Sequence, residues 1–223
     1  MMKMKELYDL NHTMARKFLE QFEYPWQALD GIGQMILDLA SNLDDEYEQI
    51  ADQVWVHKST QIAKTANLNG PCIIGAKTEV RPGAFIRGNA LVGENCVVGN
   101  STELKNVILF DHVQVPHYNY VGDSILGHYA HMGAGSITSN VKSDKSLVVI
   151  NDRSHRIKIE TGRKKVGAML GNHVEVGCNS VLNPGTVIGC ETSIYPLSCV
   201  RGVIPEKSIF KSQDDIVIRK DSK

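Results

Sequence analysis

Residues 104–140 read LKNVILFDHVQVPHYNYVGDSILGHYAHMGAGSITSN and concentrate the side chains best suited to chemistry. His117, Tyr118, Asn119 and Tyr120 fall in a row. Lys105 lies twelve residues before His117, and Asn140 twenty-three after it. An imidazole titrates near neutrality, so it can take up or release a proton there. On both sides of this stretch the chain keeps a six-residue beat, and within it the beat breaks at residues 116–123. Polar and aromatic side chains interrupting a regular scaffold mark the expected place of function, because rigid elements position the loops that act.

The beat itself specifies the scaffold. Aliphatic residues recur at Val56, Ile62, Leu68, Ile74, Val80, Ile86, Val92, Val98 and Leu104, and again from Leu170 through Val176, Leu182, Ile188, Ile194 and Val200. Four residues after each of the first eight stands a small or short one, such as Thr60, Cys72, Thr78 or Cys96. Leu126 and Met132, each followed by glycine, form a block in a shifted phase. A fixed short period marks a stacked-repeat architecture. Each hexad makes one short strand and one corner, three hexads close a triangular coil, and each coil contacts only its neighbours. Glycine directly after the aliphatic, as at Gly75, Gly93, Gly99, Gly171, Gly177 and Gly189, is expected to supply the corner conformation. The predicted class is mainly β, a parallel β-helix of hexapeptide repeats with a short N-terminal helical segment.

Three segments stand outside the beat. Residues 1–45 have helical spacing: Phe18, Leu19 and Phe22 share a face behind a cap at Asn11 or Thr13, and Leu29, Ile32, Met35, Ile36 and Leu39 follow Pro25. They are expected to form a cap on the N-terminal end of a β-helix spanning 46–205. An insertion at 141–168 predicts a hairpin standing off the helix, or an arm reaching a neighbouring subunit. Residues 206–223, with Ile209, Phe210, Ile216, Val217 and Ile218, form a tail that covers the other end or meets a partner chain.

Composition narrows the function classes. A net charge of −1 and a pI near 6.7 favour neither nucleic acid nor an anionic membrane. No run of about 18 apolar residues predicts a transmembrane helix, and the N-terminus lacks the apolar core of a signal peptide. Five cysteines with no CxxC predict a reducing cytoplasm, without disulfides or a structural zinc site.

The run VPHYNYVGDSILGHYAHMGAGSITSN resembles the acetyltransferase domain of bifunctional N-acetylglucosamine-1-phosphate uridylyltransferases. TGRKKVGAMLGNHVEVGCNSVLNPGTVIG resembles the C-terminal half of archaeal sugar-1-phosphate nucleotidylyltransferase/acetyltransferases, and together the likeness covers about residues 56–205. It implies a left-handed β-helix, a homotrimer, acetyl-CoA as co-substrate, no metal, and an amino-sugar phosphate or nucleotide-linked amino sugar as acceptor. His117 then matches the general base. Lys105 and Tyr120 match phosphate contacts, either Arg81 or Arg87 the phosphate arginine, and Asn140 a sugar contact. His131 stands where the family commonly has Asn. The lysine expected after Asn140 is Lys142 or Lys145. Ala134, Cys178 and Pro196 match positions whose backbone holds the pantetheine arm, with Arg201, Arg219 and Lys220 as candidates for the CoA phosphates. No Gly-rich uridylyltransferase motif opens the chain, so an acetyltransferase without its nucleotidyltransferase domain is expected.

Two other classes compete. A non-catalytic trimeric scaffold, partner of a sugar nucleotidyltransferase, would use the same coils without the chemistry. A carbonic anhydrase on this fold would use His112 and His117, but an open zinc site needs three histidines and none lies between His57 and His112.

Overall fold

The computed structural model describes residues 2–219, and in it the hexads wind into a triangular solenoid. Inward aliphatics stack coil upon coil. On face one the register runs Ile74, Val92, Leu109, Leu126, Leu170, Ile188, Ile204, and all are fully buried. The short residues two places earlier also point inward, because side chains alternate along a strand. Some of their hydroxyls satisfy carbonyls of the following coil: Thr78 donates to Gly93 O at 2.8 Å and Thr102 to Val115 O at 2.9 Å. Face two forms a 9-stranded sheet of its own, whereas faces one and three merge into a 14-stranded sheet. They merge because two strands, Glu103–Leu109 and Tyr120–Leu126, run unbroken around the corner between them.

Those two strands hold the real irregularity. Ile86 pairs with Leu104, eighteen residues on, but Leu104 pairs with Val121 and Leu109 with Leu126, only seventeen on. One residue is missing from the corner in each coil, and Asn106 (φ 56°) and Asp123 (φ 48°) turn it in the left-handed region. Asn and Asp accept that conformation more readily than most residues. The two deletions account for the shifted phase of Leu126 and Met132. They also correct the expected break at 116–123: the beat holds from Val115 to Val121, and His117 ends a strand, Gln114–His117, rather than sitting in a loop.

The glycines after the aliphatics do not turn corners. Left-handed φ values fall two residues later, on Lys77, Asn95, His112, Tyr129, His173, Glu191 and Lys207 along one edge. What excludes a side chain at Gly75 is the next coil: a Cβ there would stand 2.6 Å from the carbonyl of Gly93.

The N-terminal segment lies along a side of the solenoid instead of capping its end. The helix Ile32–Ala40 packs on the strands Cys72–Ile74, Ala90–Val92 and Glu103–Leu109. Tyr8 Oη donates to Ile125 O at 3.1 Å, and the Asn172 amide to Leu7 O at 3.0 Å. Face one therefore carries apolar residues on its outer side as well, and Ile73, Leu91, Ile108, Ile125 and Met169 are all buried. Covering one such side chain contributes about 1.5–3 kcal/mol.

The insertion does form a hairpin, Val149–Asp152 with Ile157–Glu160. It folds onto the later coils of its own chain instead of standing off: Val148 and Ile150 are fully buried, and Gly185 makes room for them. The tail supplies the last strand of face two, Ser208–Ser212, and turns back as Asp215–Ile218. No helix among the described residues is long and apolar enough to cross a membrane.

Candidate functional site

His117 stands at the edge where face two meets face three. Its backbone N–H donates to Asn119 Oδ1 at 3.1 Å, and its carbonyl accepts from the Gly135 amide at 3.0 Å. Asn119 is buried and donates to Gly133 O at 2.9 Å and Ser136 O at 3.1 Å, so it ties the corner to the next coil. Tyr118 takes a left-handed φ of 51° and is 66% exposed. The imidazole projects outward and is exposed. Along the same edge the ladder continues from Ala134 O to the Asn179 amide and from Cys178 O to the Leu197 amide. His117, Ala134, Cys178 and Pro196 thus form one column, a coil apart from each other, with Cys178 and Pro196 exposed.

Face three carries a second group near its opposite edge. Arg87 lies one coil below Lys105, its amide bonded to Leu104 O at 2.8 Å, and its guanidinium meets Glu103 at 2.6 Å. Lys105 Nζ contacts Asp123 Oδ1 at 2.9 Å. Asn140 Nδ2 donates to Asp123 Oδ2 at 2.5 Å and to Tyr120 Oη at 3.2 Å. Burial, more than any charge, raises the Tyr120 phenol above its ordinary pKa, and the Asn140 bond opposes it. A cavity of about 500 Å³ opens beside Lys105 and Asp123, lined also by Arg163, Lys164 and Lys165. Arg163 is ion-paired with Asp30, so insertion and N-terminal segment meet at its rim.

The sequence-predicted residues separate accordingly. Arg87, Lys105, Tyr120 and Asn140 share face three. Arg81 lies on face two, paired with Glu79 at 2.9 Å. His131 is also on face two, with Nδ1 2.8 Å from Glu175. Lys145 sits in an exposed turn at φ 57°, and Lys142 lines a different cavity together with Arg201. Arg219 reaches Glu191 O at another edge, and Lys220 lies outside the described residues. Sequence reasoning missed Lys165, which the hairpin returns to the Asn140 side through a bridge between Val141 and Lys165. It also missed Asn119 and Asp123 as buried hubs. His112 stacks on Tyr129 at 4.5 Å and does not converge with His117 on a metal site; no metal-holding group occurs among the described residues.

This architecture is that of the hexapeptide-repeat acetyltransferases, a left-handed parallel β-helix. Residues 68–218 match the family described as the GMPPB C-terminal domain, and the chain belongs to that family. It is 29% identical over 221 residues to the bifunctional protein GlmU of Methanococcus maripaludis, covering 98% of this chain and 53% of the relative. It is 30% identical to a bifunctional sugar-1-phosphate nucleotidylyltransferase/acetyltransferase of Sulfurisphaera tokodaii, covering 92% and 54%. The chain therefore spans about half the length of these curated relatives. Among solved structures, the polySia specific acetyltransferase NeuO superposes with a TM-score of 0.45 at 14% identity, over 76% of this chain and 88% of that one.

Proposed function

We propose that this protein is a CoA-dependent N-acetyltransferase. Its acceptor is an amino-sugar phosphate resembling glucosamine 1-phosphate, or a nucleotide-linked amino sugar, and it works in the cytoplasm. The observation that carries the reading is the division of one face: an exposed imidazole heads a column of backbone groups at one edge, and cations with amide and phenol groups gather near the other. In the proposed reaction His117 accepts a proton from the acceptor ammonium. The freed amine attacks the thioester carbonyl, and the tetrahedral oxyanion is met by a backbone N–H near Ala134. Collapse forms the amide and expels the CoA thiolate, which takes up the second proton shed by the attacking nitrogen, so that the products are the amide, free CoA thiol and protonated His117. Lys105, Arg87 and Lys165 hold the phosphate, Tyr120 and Asn140 the sugar, and the edge from Ala134 to Pro196 the pantetheine arm.

A thiol-release assay with acetyl-CoA across a panel of amino-sugar phosphates tests this. Release that requires a free amine on one acceptor supports the reading, and no release with any acceptor overturns it. The family likeness supports a homotrimer with sites at subunit boundaries. Light scattering at micromolar concentration is expected to give three times the chain mass.

A further inference from the structure

Asp123 performs no step of the chemistry proposed above, yet it is only 3% exposed and receives three side-chain donors. Oδ1 takes Lys105 Nζ and Asn106 Nδ2, each at 2.9 Å, and Oδ2 takes Asn140 Nδ2 at 2.5 Å. We infer that Asp123 is a positioning residue whose carboxylate fixes Lys105 and Asn140 in the geometry that receives the sugar phosphate, an inference that rests on the reading of the site given above.

The missing corner residue is what brings these groups together. Lys105 pairs across the coils with Gly122, and a Cβ at Gly122 would stand 2.5 Å from Tyr120 Oη and 2.9 Å from Asn140 Nδ2. The glycine leaves the space that Tyr120 Oη and Asn140 Nδ2 fill beside Asp123, the next residue, to which Lys105 reaches from the coil below. A lysine stem is flexible and its ammonium carries three donors. One is spent on Asp123, which leaves two for a ligand in the cavity. The carboxylate also settles the orientation of Asn140. Being acceptor-only when ionised, it demands the NH₂ group; with Tyr120 Oη taking the other hydrogen, Asn140 Oδ1 is left to accept from a sugar hydroxyl or amine. Asn106 Nδ2 bonds Leu29 O at 3.1 Å as well, which anchors the cluster to the N-terminal segment. One carboxylate therefore decides where a cation and an acceptor face the ligand.

The test is Asp123→Asn, alone and combined with Lys105→Ala. The fold should tolerate it, because Asn106 already holds the equivalent corner one coil below. Loss of the charge-assisted contact is expected to raise KM for the amino-sugar phosphate about 10–100-fold. KM for acetyl-CoA and the imidazole limb of the pH–rate profile should stay unchanged. Lys105→Ala leaves a buried carboxylate facing the phosphate, so adding Asp123→Asn to it should lower KM or leave it unchanged. Additive losses, or a fall in kcat with KM untouched, overturn the inference. Competitive acetic anhydride labelling, read by peptide mass spectrometry, needs no turnover. Lys105 should be protected relative to Lys145 in the parent and equally reactive in Asp123→Asn. Unchanged protection overturns the inference whatever acceptor is used, whereas a parent protein that acetylates no acceptor defeats the functional reading and leaves the labelling result to decide this one.

Discussion

The edge at His117 and the corner at Asp123 belong to the same face but are built in opposite ways. The edge follows the six-residue beat without fault, so equivalent positions stack into a column of exposed backbone that suits a long, extended ligand. The corner exists because the beat fails twice, and the failure buries a polar cluster that suits a compact anion. A repeat supplies a track, and a deletion in the repeat supplies a pocket.

Substitutions sharpen that contrast. The largest effect is expected at the edge: His117→Ala should lower kcat by about 10²–10⁴-fold, the usual worth of general-base catalysis. Its melting temperature should hardly move, since the imidazole is exposed. Wild-type turnover in this variant would remove His117 from the chemistry. Next comes Ile108→Ala, behind the corner and under the N-terminal segment. Emptying that fully buried site should destabilise the fold by about 2–5 kcal/mol, read from the denaturant midpoint, with KM for acetyl-CoA unchanged. A loss below 1 kcal/mol would mean that the segment is not packed on face one as described. At the corner itself, Lys105→Ala should raise KM for the sugar phosphate about 10–100-fold and change kcat less. An unchanged KM would dissociate the corner from the ligand.

The smallest effect concerns a third edge. His128 stacks on His12 at 3.7 Å and packs edge-on against His112 and His173, and its Nδ1 lies 2.9 Å from Asp111 O. Burial first, then the charges of His12, His112 and His173, hold its pKa below the ordinary value. The folded state thus binds this proton less readily than the unfolded chain, and the stability His128 contributes is lost as pH falls from about 6.5 through its folded pKa. Asp111 works in the opposite direction: burial raises its carboxyl, so its contribution is lost as pH rises through its folded pKa and is partly regained on acidification. The melting temperature should fall between pH 7 and 5.5, and His128→Gln should flatten that slope. A slope as steep in the variant would assign the effect to other groups.

Much of this was legible in the chain. Hexads specify coils, but counting alone relates only Cys178 to Pro196, eighteen residues apart; the family resemblance, and then the backbone ladder of the structure, put His117 and Ala134 on the same edge. The corner was harder, because one residue lost per coil is invisible to a search for aliphatics every six positions. Its trace is the pair LKNVIL and VGDSIL, seventeen residues apart. The side-lying N-terminal segment also had a trace: triplets such as CII, ALV and VIL put an apolar residue outward on every third hexad, whereas face two shows Glu79, Gln114 and His131 there. Lys165 left none. A hairpin's return to Asn140 depends on tertiary packing of Val148 and Ile150, which no local pattern encodes.

The N-terminal segment also has a consequence for the order of events during synthesis. Leu7 and Tyr8 dock on Asn172 and Ile125, and Cys190 Sγ donates to Glu6 O across 184 residues of sequence. Residues 4–8 therefore lack a complete landing surface until the coils carrying Ile125, Asn172 and Cys190 have all been made. The helix Ile32–Ala40 can settle on the strands from Cys72 to Leu109 as they form, while residues 4–8 wait undocked. The closure of residues 4–8 is a long-range step that should come late, and until then the part of face one around Ile125 stays uncovered and open to association with other chains.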